Sequence, residues 1–243
     1  MDLKLKNKKA LVLGSSSGIG RAIAEALLSE GADVALAARN EEKLKAAAKE
    51  LGCKNYFACD LSVKGQAQLV TEKAIKALDG LDILVTNTGG PKRGTFLEIS
   101  QEQWLHDFQN LWMSVVESLQ VALPVMQKSN YGRVLLVTSY AAVDPRPGLT
   151  TSNGLRAGLL GLAKSVVDEY APYGITVNTL MPGLTSTARL LELKLTGERV
   201  KQMVPAGRIG EPWEIANLAA FLSSPLAGYI TGQAIAVDGG ASR

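Results

Sequence analysis

A glycine-rich turn near the start of the chain constrains the fold more than any other stretch. Four apolar residues, 10–13, are followed by Gly14, Gly18 and Gly20. An amphipathic pattern begins directly after them, which indicates a buried strand, a tight turn and a helix. Such a turn gathers backbone N–H groups at a helix N-terminus, where a phosphate group binds well. The turn predicts a phosphate site, although a turn without a ligand would carry the same pattern.

Strand-like and helix-like segments alternate along the whole chain. This alternation predicts an α/β fold with a single doubly wound parallel sheet, or Rossmann fold, and helices on both faces. No internal repeat or linker divides the chain, so we expect one domain over residues 1–243. The predicted strands are residues 10–13, 33–37, 55–59, 83–86, 134–138, 175–180 and 234–237. The predicted helices beyond the glycine turn are residues 41–51, 66–78, 101–127, 155–170, 190–203 and 212–222.

Composition argues against several other classes of protein. The formal net charge is +3 and the charges form no concentrated basic face, which disfavours nucleic-acid binding. No stretch reaches the roughly 18 apolar residues of a membrane span, and the apolar run after the basic N-terminus is too short for a secretion signal. Two cysteines are too few for a disulfide scaffold, and no cluster has metal-ligand spacing. We therefore expect a cytoplasmic protein without a metal, a membrane or a nucleic-acid partner.

Small, polar or turn-forming residues follow the first six predicted strands at their carboxyl ends. Ligands of such a sheet bind beyond those ends. Although polar residues and glycines end strands in many proteins, the whole set along one edge predicts a cofactor groove. In strand order the residues are Gly14, Ser15, Ser16, Ser17, Gly18, Ile19 and Gly20; Arg39; Asp60 and Leu61; Asn87, Thr88 and Gly89; Ser139 and Tyr140; and Pro182, Gly183 and Thr185.

These motifs resemble those of the short-chain dehydrogenase/reductase family over essentially the whole chain. Residues 14–20 match its Gly-x-x-x-Gly-x-Gly loop, and residues 87–89 fall on its Asn-Ala-Gly motif. The tail, residues 207–240, looks like the 3-oxoacyl-carrier-protein reductase branch. The resemblance implies hydride transfer between NADP(H) or NAD(H) and a carbonyl or alcohol, and a homotetramer. It also implies catalytic roles for Asn110 and Ser139, adenine contacts from Asp60 and Leu61, and cofactor contacts from Pro182, Gly183 and Thr185.

The resemblance breaks at the catalytic motif. The family pairs its serine with Tyr-x-x-x-Lys on the next helix, but the family's spacing from Ser139 leads to Ser152 and Arg156. The residues that follow match the family without a gap, so the register stands. A tyrosine with a pKa of about 10 can be tuned toward neutrality, whereas a serine hydroxyl is a much weaker acid. Arginine keeps its proton and so cannot join a proton relay. From the spacing we expect Ser152 and Arg156 at the catalytic positions, and we expect Arg156 to bind the nicotinamide ribose as well.

Arg39 indicates which nicotinamide cofactor the groove takes. NAD-selective sites place a carboxylate at the end of the second strand, where it bonds the ribose 2′-hydroxyl. Residues 37–40 contain no carboxylate, and the guanidinium of Arg39 suits a 2′-phosphate. The sequence therefore predicts NADP(H), with a solvated charge as the alternative role of Arg39.

Three interpretations of the altered motif remain open. In the first, the protein is an NADP(H)-dependent oxidoreductase whose proton comes from a water, the substrate or another tyrosine. Tyr140 is the nearest tyrosine, but it serves only if the chain bends after Ser139, because neighbours on a strand point to opposite faces. In the second, the fold binds NADP(H) without turnover, as a sensor, regulator or partner subunit. In the third, Ser152 and Arg156 form an anion site for a carboxylate or phosphate on the substrate.

Basic residues lie within the segment expected to cover the site, residues 184–205, and on loops that face the same end of the sheet. They favour an acidic partner such as an acyl carrier protein, or are scattered solubilising charges. The only histidine, His106, lies in no pattern of a base or ligand, so we expect it to be structural. The basic residues are Lys92, Arg93, Arg146, Arg189, Lys194, Arg199 and Lys201.

Overall fold

A parallel sheet forms the centre of the protein. The computed structural model describes residues 1–191 and 195–242, and within them seven strands pair in the order β3-β2-β1-β4-β5-β6-β7. All six pairings are parallel, so the predicted doubly wound sheet is confirmed. The strands are β1 (Lys9–Leu13), β2 (Asp33–Ala38), β3 (Asn55–Ala58), β4 (Ile83–Asn87), β5 (Gly132–Val137), β6 (Ile175–Pro182) and β7 (Ala234–Val237).

Helices cover both faces of the sheet. None of those in residues 1–191 and 195–242 is long and apolar enough to cross a membrane. The helices are α1 (Gly18–Ser29), α2 (Glu41–Glu50), α3 (Gln66–Leu78), α4 (Gln101–Phe108), α5 (Ser114–Ser129), α6 (Thr150–Tyr170), α7 (Ala188–Leu191), α8 (Gly197–Met203) and α9 (Pro212–Ser223).

The first strand divides its side chains between two apolar layers. Ala10 and Val12 pack in the layer that contains α1 and α9, whereas Leu11 and Leu13 pack in the layer that contains α3, α5 and α6. This follows from the two-residue period of a strand. All four side chains are fully buried, and burying a leucine or valine stabilises the fold by about 1.5–3 kcal/mol. The two layers hold the strand ends, and therefore the glycine turn, in a fixed position.

Three predicted helices differ from the observed ones. The helix expected over residues 101–127 is interrupted by a π-helical segment, Gln109–Met113, a local change to i→i+5 hydrogen bonds that the apolar pattern of the sequence does not reveal. The helix expected from residue 155 begins at Thr150, since packing overrides the weak helix propensity of Ser152, Asn153 and Gly154. The helix expected over residues 190–203 is two short helices, α7 and α8, and residues 192–194, which include Lys194, lie outside the described residues.

Candidate active site

The carboxyl ends of β1, β2 and β4 open onto a cleft of about 650 Å³. Its walls come from the glycine turn, the segments after β2, β3 and β4, one side of α4, and the start of α7. The cleft runs along the edge at which ligands bind in this type of sheet. The sequence-predicted residues that line it are Gly14, Ser16, Ser17, Gly18, Ile19, Arg39, Asp60, Leu61, Asn87, Thr88, Gly89 and Asn110.

The glycine turn is shaped as a phosphate cradle. Gly14 and Gly18 have positive φ angles of 62° and 58°, which favour glycine. A Cβ on Gly14 would lie 2.4 Å from the Asn87 carbonyl oxygen, and Asn87 Nδ2 donates to the Gly14 carbonyl at 3.2 Å. The side chain of Ser17, the N-cap of α1, makes no capping hydrogen bond. The first N–H groups of α1 therefore face the cleft without a side-chain acceptor, as a bound phosphate requires.

Two residues predicted to bind the cofactor serve the turn itself. Ser15 is fully buried, and its Oγ accepts from Ala37 N at 2.9 Å and donates to Ala37 O at 3.3 Å. It ties the turn to β2 and does not line the cleft. Gly20 packs beneath Gly14, where a Cβ would lie 2.4 Å from the Gly14 carbonyl oxygen. Backbone packing takes up the side-chain positions of both residues, and their cofactor contacts remain a prediction.

The end of the cleft beyond β2 and β3 is positively charged. Arg39 and Lys43 line it together, and Lys43, which the sequence reading missed, lies one helical turn after Arg39. Asp60 accepts hydrogen bonds from the backbone N–H and the hydroxyl of Ser62. Burial acts to raise the pKa of Asp60, but these bonds and the charge of Arg39 hold it below its usual value. This end offers cations for an anion and an ionised carboxylate for an N–H donor.

His106 lies in the wall of the same cleft, close to Asp60. Its Nδ1 atom is 3.4 Å from Asp107 Oδ1, and its positive form would help to lower the pKa of Asp60. The sequence predicted a structural role for His106 and did not indicate that it lines the cleft. The available signal was its spacing, because His106 precedes Asn110 by four residues and so shares its helix face.

Of the four predicted catalytic residues, Asn110 lines the cleft, whereas Ser139, Ser152 and Arg156 are not part of its lining. Ser139 caps a short 3₁₀ turn after β5, and its Oγ accepts from Ala141 N at 3.2 Å. Ser152 is buried in the first turn of α6, and Arg156 follows one turn later with 6% of its surface exposed. Arg156 Nη1 donates to the Val137 carbonyl at 3.0 Å. Its Nη2 donates to Thr88 Oγ1 at 3.4 Å, which joins Arg156 to the cleft wall.

Burial lowers the pKa of Arg156 to about 10, and the positive charge of Arg189 acts in the same direction. Arg156 is therefore still protonated at neutral pH. It can stabilise negative charge on a nearby oxygen, but it does not release a proton readily.

Comparison with known proteins identifies the family. Residues 14–242 match the family model described as enoyl-(acyl carrier protein) reductase. A 3-oxoacyl-[acyl-carrier-protein] reductase of Haemophilus influenzae is 37% identical over 240 residues, which cover 97% of this chain and 98% of the relative. The chain belongs to the short-chain dehydrogenase/reductase family. The family that the motifs predicted is thus confirmed.

Two solved structures of this family resemble the chain closely. L-sorbose reductase of Gluconobacter frateurii, complexed with NADPH and L-sorbose, has a TM-score of 0.95 and 31% identity, over 100% of this chain and 99% of that one. An NADPH-bound short-chain oxidoreductase of Pseudomonas aeruginosa PAO1, described as containing an atypical catalytic center, has a TM-score of 0.90 and 34% identity, over 98% and 99%.

The side chain of Tyr140 packs away from the residues that line the cleft. The chain does bend after Ser139, but the Tyr140 ring packs against Val200, Val204 and Ala241 and is 6% exposed. Burial raises its pKa, which is the opposite of the tuning that an acid at neutral pH needs. Its position favours a packing role beneath the segment that carries α8.

After β6, the residues that line the cleft come later in the chain than the residues predicted from the motif. Pro182 ends β6, and Gly183 packs against β7, where a Cβ would lie 2.6 Å from the Asp238 Cα. Thr185 is buried and donates to the Gly183 carbonyl at 3.1 Å. None of these three residues lines the cleft, and their cofactor contacts remain a prediction. The residues of this segment that line the cleft are Thr187, Ala188 and Arg189.

A buried carboxylate positions the catalytic helix. Asp107, on α4, is fully buried and accepts from Thr151 Oγ1 at 2.7 Å and from Gln103 Nε2 at 2.8 Å. Thr151 directly precedes Ser152, so this bond fixes the start of α6. Asn110 follows in the π-helical segment, a distortion that is frequent at functional sites. The altered helix turn directs Asn110 into the cleft wall.

Proposed function

We propose that the protein is an NADP(H)-dependent oxidoreductase that acts on a carbonyl or alcohol with an atypical proton donor. The observation that carries the proposal is a cleft that combines a phosphate cradle with a cationic end, and a buried guanidinium, that of Arg156, which bonds to Thr88 in the cleft wall. The solved relatives that contain NADPH support the choice of cofactor. When bound, NADP(H) supplies or accepts the hydride.

Each region of the cleft has a role toward this cofactor. The N–H groups at residues 16–20 hold the diphosphate. Arg39 and Lys43 bind the 2′-phosphate, whose charge a guanidinium fork matches. Asp60 and Leu61 hold the adenine, with Asp60 accepting from its amino group. Further contacts toward the nicotinamide end come from Asn87, Gly89, Arg156 and Thr187.

The residues beside the cleft polarise the substrate. The hydroxyls of Ser139 and Ser152 donate to the substrate oxygen, and Arg156 stabilises the negative charge that develops on it. A preorganised donor of this kind contributes about 10²–10³ in rate. Since neither hydroxyl is acidic enough to be a good general acid, the proton comes from solvent. Ser139 or Ser152 passes its proton to the alkoxide and regains one from a water near Asn110, and the hydroxide that remains is neutralised by the bulk solvent.

A non-catalytic NADP(H) sensor or regulatory subunit is the second candidate. The packing of Tyr140 away from the cleft favours it, because no tyrosine replaces the missing acid among the residues that line the cleft in the described chain. The Pseudomonas relative supports cofactor binding alongside an atypical centre. A single kinetic comparison can therefore separate the two candidate functions.

The test is NADPH oxidation, followed by absorbance over a panel of neutral and anionic carbonyl compounds. The natural protein is compared with the double variant Ser152→Tyr, Arg156→Lys, and NADPH binding is measured for both by fluorescence. We expect turnover by the natural protein that the double variant does not improve. If both bind NADPH but only the double variant turns over, the oxidoreductase proposal is wrong and the sensor is favoured.

A further inference from the structure

Two arginines from different helices are anchored on the same short loop. Arg156 of α6 donates to Thr88, and Arg189 of α7 donates to the carbonyls of Gly90 and Pro91, at 2.8 and 2.6 Å. The anchoring residues lie within the four-residue stretch 88–91, in which successive Cα atoms are about 3.8 Å apart. The loop after β4 therefore brings two guanidinium groups to one end of the cleft.

These two positive charges have no carboxylate partner in residues 1–191 and 195–242. The acceptors of both are carbonyls and one hydroxyl. Several other arginines do pair with a carboxylate: Arg21 with Glu50, Arg146 with Asp144, and Arg208 with Glu214. Arg156 is buried, and a buried charge without a counter-charge is unfavourable, so an anion between Arg156 and the exposed Arg189 would relieve it.

A second buried arginine shows what a purely structural guanidinium looks like. Arg133 donates to three backbone carbonyls, those of Gly132, Gly174 and Ser224. Arg156 makes one carbonyl bond and one long bond of 3.4 Å to a hydroxyl. More of the hydrogen-bonding capacity of Arg156 is therefore left for a ligand. Burial is the main cause that lowers the pKa of Arg156, and the charge of Arg189 acts in the same direction.

We propose that Arg156 and Arg189, the arginine pair, bind the carboxylate of an anionic carbonyl substrate. The inference rests on the proposed function and names the class of substrate. A carboxylate takes two parallel N–H bonds from a guanidinium, a geometry that lysine does not provide. The diphosphate of the cofactor is the other available anion, but the glycine turn already offers it N–H donors at the end of β1.

The position of the pair also limits the length of the substrate. Arg156 lies one helical turn from Ser152, which we place at the reacting oxygen. A carboxylate on Arg156 is therefore separated from the reacting carbon by few bonds. Free 2-oxo and 3-oxo acids satisfy this, whereas their esters and thioesters lack the charge.

Calorimetry with acetoacetate tests the proposal without turnover. Acetoacetate is titrated into the NADP⁺-loaded protein, where no hydride is available, and methyl acetoacetate is the neutral counterpart. We expect acetoacetate to bind at least about tenfold more tightly, as for hydrogen bonds to a charged group. Arg189→Gln should remove that preference, whereas Arg199→Gln, which changes an exposed arginine of α8, should keep it. Arg189 is itself exposed, so its variant should fold.

Two outcomes overturn the arginine pair. The first is equal affinity for acetoacetate and its methyl ester. The second is an Arg189→Gln variant that loses as much affinity for NADP⁺ as for acetoacetate, because the arginine then serves the cofactor's diphosphate. If the protein prefers the carboxylate but no carbonyl compound supports NADPH oxidation, the proposed function is contradicted and the anion site is supported.

Discussion

At the scale of single residues, two departures from the family pattern occur together. Thr88 stands where the Asn-Ala-Gly motif has alanine, and we propose that Arg156 takes the position of the lysine in the catalytic motif. The Thr88 hydroxyl accepts a hydrogen bond from Arg156, which an alanine could not do. The hydroxyl of Thr88 therefore helps to orient the guanidinium of Arg156, and the two residues work together.

Arg39 carries the prediction for cofactor choice. Arg39→Ala should weaken NADPH binding by about 10- to 100-fold and leave NADH binding nearly unchanged, because only the 2′-phosphate uses the guanidinium. Fluorescence titration with both cofactors measures this. Lys45→Ala, an exposed lysine of α2 outside the cleft lining, is the control. An equal loss of affinity for NADH would mean that Arg39 does not read the 2′-phosphate.

Local motifs could be predicted from the sequence, whereas side-chain orientation could not. The glycine turn followed from neighbouring residues, because its φ angles and its helix start are set locally. The burial of Ser15 and the wall position of His106 depend on packing against Ala37 and Asp107. Arg189 reaches Gly90 across about 100 positions of sequence, a contact that no local pattern encodes.

At the scale of elements, strands were predicted more closely than helices. Strand β7 has the predicted bounds, and the others differ by one or two residues at their ends. Buried parallel strands are short apolar runs between turns, which makes them easy to recognise. The π-helical segment Gln109–Met113 and the early start of α6 depend on tertiary contacts such as the Asp107–Thr151 bond.

The first turn of α9 leads to a prediction about how the stability of the fold depends on pH. The fork of Arg208 and the N–H of Glu211 donate to the Glu214 carboxylate and lower its pKa to about 2. Because the folded pKa is below the unfolded value of 4.5, the ionised carboxylate stabilises the fold above pH 4.5, and this is lost as pH falls toward 2. Glu214→Gln should lower the thermal midpoint at pH 7.

Thermal melts of both proteins from pH 7 to pH 3 check this. The difference between the two midpoints should be constant above about pH 5 and should shrink below it. A difference that stays the same at pH 3 would show that lost packing, rather than the charge of Glu214, causes the destabilisation.

At the scale of the whole molecule, the same sheet edge explains both the fold and the site. A parallel sheet places the carboxyl ends of all its strands at one edge, and residues far apart in sequence therefore lie close together there. The sheet predicted from the alternation of strands and helices was confirmed. The identity of the catalytic acid was not predictable, because it depends on how side chains and water pack at that edge.

The apolar outer face of α4 and the π-helical segment leads to a prediction about assembly. Leu105 is 71% exposed, and Phe108 is partly exposed and stacks on Trp112 with ring centroids 6.3 Å apart. Exposed apolar faces of this kind are usually buried by a partner. We predict a homotetramer in which α4, α5 and α6 pack against second copies. Sedimentation velocity should give four times the mass of one chain.

Phe108→Lys should shift the sedimenting species to a smaller mass, because a charge would enter the interface without a partner. Circular dichroism and NADPH binding show whether the variant is folded, since neither requires the interface. A natural protein that sediments as a monomer would contradict the assembly. An unchanged tetramer of Phe108→Lys would mean that these helices are not the contact, and that another apolar surface, such as the fully exposed Tyr229, joins the copies.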